Sequence, residues 1–183
     1  MSIHITTPLD NEIIKKLKIG DEVFISGTIY TARDAAHQKL VDLLNDNKAL
    51  PFDTKGAVIY YVGPSPAQPG QAIGAAGPTT SYRMDPFVED LLQVGMKGMI
   101  GKGARSAEVV NGLKTHCAVY FGATGGAAAL LSKTIKKAEV IAFDELGPEA
   151  VRKLEVENMP LIVINDCTGK DLYVEGRKKW ADQ

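Results

Sequence analysis

Short apolar runs rich in β-branched residues, each closed by Gly, Pro or Asp, recur along the chain and mark strands. They fall at Val23–Tyr30, Ala57–Val62, Gly98–Ile100, Cys117–Phe121, Glu139–Phe143 and Leu161–Ile164, with a weaker one at Ile3–Thr6. Helical spacing fills the intervals at Asn11–Leu17, Ala35–Leu44, Pro86–Val94, Ser106–Leu113, Gly126–Lys133 and Pro148–Leu154. Asp34 precedes the second of these as an N-cap, and Asp85-Pro86 opens the third as N-cap and first turn. From residue 57 onward strand and helix alternate, the signature of βαβ units and a mainly parallel sheet. The first third is richer in strand and turn, so a mixed or second sheet is expected there. No repeat or low-complexity linker interrupts the pattern, and residues 1–183 read as one unit.

Composition narrows the function classes. The formal net charge of −1 provides no global positive field to attract nucleic acid or an anionic membrane. No stretch approaches the ~20 apolar residues a membrane span needs. The start, Met-Ser-Ile-His-Ile-Thr-Thr-Pro, has neither a basic head nor an apolar core, so a cytoplasmic location is expected. The two cysteines, Cys117 and Cys167, are too few for a disulfide scaffold. An iron–sulfur cluster usually takes about four thiolates, more than this chain can offer. The three histidines, His4, His37 and His116, are dispersed, so any metal chemistry would need a metal from another chain.

Three polar, Gly-containing segments carry cations at strand ends. Ser26–His37 leaves a strand and enters a helix, a position where α/β proteins put ligand groups. Within it, Arg33 sits at the helix N-terminus, where a cation is mildly unfavourable and calls for an anionic partner, either a ligand or a neighbouring acid such as Asp34. His37 lies four residues on, so it shares that helical face, as a structural histidine or a supporting one. Gly63–Arg83 is a long Gly- and Pro-rich loop ending in the hydroxyls of Thr79, Thr80 and Ser81 and the planar fork of Arg83. Gly98–Arg105 holds Lys102 between glycines, accessible to an anion but without the spacing of a nucleotide-binding loop. A fourth stretch, Gly122–Gly126, could receive an anion before a helix or simply make a tight turn. The paired lysines Lys15/Lys16, Lys136/Lys137 and Lys178/Lys179 read as solvated faces. Arg33, Arg83 and Lys102 together suit a small dicarboxylate, one guanidinium per carboxylate.

The segments Ser26-Gly-Thr-Ile-Tyr-Thr-Ala-Arg-Asp-Ala-Ala-His, Tyr61-Val-Gly-Pro-Ser-Pro, Gly77-Pro-Thr-Thr-Ser-Tyr-Arg-Met-Asp and Met99-Ile-Gly-Lys-Gly closely resemble the β subunit of class I, iron–sulfur fumarate hydratases. Tartrate dehydratase β subunits belong to the same family. The resemblance implies a swivelling β/β/α three-layer domain with a mainly parallel central sheet. It also implies an α subunit of the same hydro-lyase as partner, whose cysteines hold a 4Fe–4S cluster, with none bound by this chain alone. By motif, Arg33 and Arg83 are implied as substrate arginines, Lys102 as a substrate lysine and Thr79 as the catalytic base. Thr80 remains a rival for that last role, and His37 takes a supporting part, orienting Arg33 or a substrate group.

A threonine base is physically demanding, because its hydroxyl ionises far above neutral pH. Three nearby cations in a water-shielded site would supply the needed stabilisation. The implied activity is reversible trans hydration of fumarate to L-malate, with tartrate dehydration to oxaloacetate as the alternative substrate. A non-catalytic dicarboxylate-binding or interaction module is the rival from another class. Expected partners are the α subunit and a small dicarboxylate, with no nucleic acid, no membrane and a possible dimer of the heterodimer. The chain alone is expected to present an apolar and cationic face around residues 63–105.

Overall fold

In the computed structural model the described residues are 2–123 and 128–181. Seven strands form among them: β1 (Ile3–Thr6), β2 (Glu22–Thr31), β3 (Val58–Tyr60), β4 (Gly98–Gly101), β5 (Val119–Gly122), β6 (Ile135–Ala142) and β7 (Val151–Asn165). The helices are α1 (Asn11–Lys16), α2 (Asp34–Asn45), α3 (Asp85–Gln93), α4 (Ala107–His116), α5 (Ala128–Thr134) and α6 (Leu172–Ala181), with 3₁₀ turns at Ser81–Met84 and Asp144–Glu149. None of these helices is long and apolar enough to cross a membrane.

All seven strands belong to one mixed sheet, parallel from β1 through β5 and antiparallel wherever β7 pairs. The sheet closes on itself. β7 pairs with β5 through Tyr120–Gly122 and with β2 from Glu22 to Thr31, completing the circuit β2–β3–β4–β5–β7–β2. The first third therefore builds the mixed part of this one sheet and not a second sheet: β2 runs parallel to β1 and β3 and antiparallel to β7, with β1 outside the closed circuit.

The apolar runs at β3, β4 and β5 are continuous because both of their faces are covered, as parallel strands require. One face sends Val58, Tyr60, Ile100, Val119 and Phe121 into the closed interior against β2 and β7 side chains such as Val23, Ile25, Leu154 and Val163. The other sends Ile59, Tyr61, Met99 and Tyr120 against Ala36 and Leu40 of α2, Val88 and Leu91 of α3, and Val109 and Leu113 of α4. This alternation puts two tyrosines, Tyr61 and Tyr120, beneath the helix layer.

Several elements differ from the sequence pattern. Pro148–Leu154 is not a helix: Gly147 adopts φ 57° and ψ −115°, Pro148 lies in the 3₁₀ turn, and Val151 already begins β7. The run Leu161–Ile164 is only the end of that 15-residue strand, whose buried positions face two neighbours along most of its length. Asp34 is not the N-cap of α2. Arg33 holds that position without a side-chain cap bond, and the Asp34 carboxylate is engaged elsewhere. Asp85 likewise begins α3 rather than capping it. Ser106 does cap α4, accepting from Val109 N at 3.3 Å. Of the helix at Gly126–Lys133, residues 128–133 are helical and the first two lie outside the described residues, as does most of the Gly122–Gly126 turn. Helix α6 carries a weak apolar pattern and is invisible without its contacts to β7.

Candidate functional site

Strands β2, β3 and β4 run parallel as neighbours, with Thr31 beside Tyr60 and Tyr60 beside Ile100, so their C-terminal ends share one edge. Each of the three cation-bearing segments leaves from that edge. Arg33 follows β2 by two residues, the long loop follows β3, and Lys102 follows β4 directly. The loop returns to the same place, for Val62 bridges Pro78, Thr79 N–H donates to Tyr61 O at 2.8 Å, and Thr80 bridges Lys102. Residues 65–72 of the loop are exposed, as is Tyr82 at 64%. A cationic and partly apolar surface over 63–105 is thus present.

The edge brings the candidate cations together through contacts that can be traced. A methyl group on Gly63 would stand 2.9 Å from Arg33 Nη1 and 3.3 Å from its Cδ, so the Arg33 side chain lies against the start of the loop that follows β3. Arg33 Nη2 pairs with Glu149 Oε1 at 3.3 Å, while the other oxygen of Glu149 accepts from Ala35 N–H at 3.3 Å. A carboxylate is therefore seated between a guanidinium and the first turn of α2, where the exposed N–H groups and the helix dipole favour negative charge. Arg83 pairs with Asp34, the residue next to Arg33. Both guanidiniums remain reachable, with side chains 22% and 43% exposed. Lys102 is exposed, and among the described residues it makes no ion pair.

His37 is fully buried under this edge. Its Nδ1–H donates to Arg33 O at 2.9 Å, and its ring packs edge-on to Tyr61. Burial pushes its pKa down to about 4, so the imidazole is neutral and ties down the Arg33 backbone without competing for anions. Three buried polar atoms in this first turn, Arg33 Nε, Asp34 Oδ1 and His37 Nε2, have no protein partner. Such orphans are rare away from places that receive water or a ligand.

Below the edge lies a cation that the sequence does not distinguish from the others. Arg105 has a fully buried side chain, pairs with Asp85 Oδ1 at 2.8 Å and stacks over the rings of Tyr61 and Tyr120 at 5.2 and 4.9 Å. Burial opposes its charge, but Tyr61 and Asp85 more than offset this and hold it protonated. Asp85 Oδ2 also accepts from Ser106 N–H at 2.7 Å, joining the starts of α3 and α4. Nothing local in the sequence points Glu149 to this edge: it lies 114 residues beyond Ala35 and reaches it only through the β6–β7 turn.

As to a resident cluster, the described residues contain no group of three or more His, Cys, Asp or Glu able to hold a metal ion. Cys117 and Cys167 both pack against the closed interior and are unpaired. Two thiols do not fit an iron–sulfur cluster.

Cations and hydroxyls thus gather outside the carboxyl ends of parallel strands, where α/β folds place their ligand sites. Comparison with known proteins agrees: residues 1–176 match the family model described as Fumarase C-terminus, and the chain belongs to that family. It is 41% identical, over 93% of its length and 91% of the relative's, to a Methanocaldococcus jannaschii protein named provisionally as L(+)-tartrate dehydratase subunit beta. It is 39% identical to Fumarate hydratase 2 of Leishmania major over 94% of this chain, and 39% identical to the aerobic class I fumarate hydratase of Escherichia coli over 88%. The chain spans only 31% and 30% of those two longer proteins.

Proposed function

We propose that this chain is the β portion of a two-part hydro-lyase that adds water reversibly across fumarate to give L-malate. The observation that carries the reading is the single edge holding Arg33, Arg83, Lys102 and two threonines, with each guanidinium already adapted to a carboxylate. In this reading Arg33 and Arg83 take one carboxylate each and Lys102 adds a third positive charge. Thr79 Oγ, ionised to the alkoxide beside the cations, removes the C3 proton of malate and becomes a hydroxyl, and the electron pair moves into the adjacent carboxylate, forming a dianion that the same cations stabilise. Thr79 is favoured over Thr80 because its backbone is tied to Tyr61 O, two residues from the Gly63 against which Arg33 lies, whereas the Thr80 methyl faces Gly103. Departure of the C2 hydroxyl needs an electrophile and an acid, and both fall to an α partner bearing a 4Fe–4S cluster. The two apolar faces of β3–β5 support the finer reading of a swivelling β/β/α three-layer domain that closes on that partner.

One observation favours tartrate as substrate instead. A relative whose length this chain matches, at 91% coverage, is named for tartrate. Anaerobic reconstitution of this chain with its α partner, followed by turnover assays on malate, fumarate and L(+)-tartrate, decides between the two. Turnover of malate and fumarate is expected. Tight dicarboxylate binding by the chain alone, with no turnover of any of the three acids by the pair, would instead favour a non-catalytic binding module.

A further inference from the structure

Two buried hydroxyls lie directly under the edge and belong to none of the roles above. Ser81 is fully buried in the middle of the segment between Thr79 and Arg83. Its hydroxyl accepts from Lys102 N–H at 3.0 Å and meets Tyr120 Oη at 2.9 Å. Tyr120 donates its one proton to Gly103 O at 3.0 Å, so Ser81 must be the donor in the pair between them. The result is a directional chain, Lys102 N–H to Ser81 to Tyr120 to Gly103 O, closed by Ser81 N–H donating back to Lys102 O at 3.0 Å. Burial pushes the Tyr120 phenol well above its usual range, which keeps it protonated as a donor. The fit leaves no slack: a methyl group on Gly101 would fall 1.9 Å from Ser81 Oγ. The ring of Tyr120 is in turn held by Arg105, whose partner Asp85 lies two residues beyond Arg83.

We propose that Ser81 and Tyr120 are positioning residues that lock the segment carrying Thr79 and Arg83 to the segment carrying Lys102, at the separation one substrate needs. This rests on the reading that those three side chains serve a single diacid. Neither hydroxyl touches the substrate; each acts through the backbone of Lys102 and Gly103. Because the chain of bonds runs in one direction, losing either hydroxyl breaks the same unit.

The test uses Ser81→Ala, Tyr120→Phe and the double variant in the reconstituted pair, together with amide hydrogen exchange of the chain. Each single variant is expected to lower kcat/KM by about tenfold, the size of one lost hydrogen bond, and the double variant to be no worse than the poorer single. Tyr120→Phe, although it does not touch the Lys102 amide, is expected to speed its exchange, an effect that loss of packing elsewhere does not give. Unchanged kcat/KM in both variants, or losses that simply add, overturns the proposal. Failure of the unmodified pair to turn over any of the acids sinks the functional reading instead. The Lys102 exchange rate in Tyr120→Phe then still decides whether the tie exists.

Discussion

The rim at the strand ends and the knot just beneath it are built from the same materials, arginines, acids and aromatic rings, yet they hold charge in opposite ways. On the rim, Arg33 and Arg83 each have one acidic partner and keep part of the guanidinium exposed. In the knot, Arg105 is enclosed by Asp85, Tyr61, Tyr120 and Met99. A partner on one edge can be exchanged for another carboxylate, whereas an enclosed ion pair can only be kept or broken. The difference separates a cation open to exchange, as the proposed function needs, from one that serves the fold.

Substitutions can break that contrast, beginning with the largest effect. Thr79→Ala is expected to cut turnover of the assembled enzyme by roughly 10²- to 10⁴-fold, the usual contribution of a general base, while the two chains still associate. Thr80→Ala should cost far less, and a reversed order in steady-state assays would move the base to Thr80. In the knot, Arg105→Ala strands the Asp85 carboxylate and should remove about 3–5 kcal/mol of unfolding free energy in denaturant titrations. On the rim, Arg33→Ala and Arg83→Ala should change unfolding by about 1 kcal/mol or less, yet raise KM for the diacid about 100-fold. If the rim variants unfold as badly as Arg105→Ala, the distinction fails.

The smallest effect concerns pH. His37 has a folded pKa near 4 against an ordinary value of 6.5, so between those values the unfolded chain binds more protons. Its contribution to stability is fully present above 6.5 and is lost as pH falls toward 4. Unfolding free energy should drop by about 2 kcal/mol from pH 7 to pH 5 through this group. His37→Gln should flatten the slope, and an unaltered slope in that variant would assign the loss to other groups.

Much of the rim was legible in the sequence because its residues sit in loops that are too polar to be core and too rich in glycine to be mere surface. The alternation of apolar runs located β1 to β5 and most helices for the same reason, since each element's pattern is local. What stayed hidden was long-range. Glu149 seats itself on Arg33 only because β6 and β7 form a hairpin that turns beside α2, and nothing near Pro148 signals that destination. The 15 residues of β7 read as a helix followed by a short strand, because pairing with β2 and β6 overrides the local spacing. Arg105 looks like Lys102 in sequence, and only the placement of Tyr61 and Tyr120 on the helix-covered face shows it to be structural. Ser81 reads in the sequence as one hydroxyl among three, because its partner Tyr120 lies 39 residues away.

The acids already seated on Arg33 and Arg83 change what it means for a diacid to arrive. The incoming molecule does not meet bare positive charge. On the proposed function it would work as in an ion exchanger, trading places with Glu149 and Asp34, so each new contact replaces one already made. A chain built this way is an indifferent trap for stray anions. Discrimination would then rest on geometry: only a ligand whose two carboxylates reach both guanidiniums at once displaces both acids, with Lys102 adding charge that no neighbour among the described residues already neutralises.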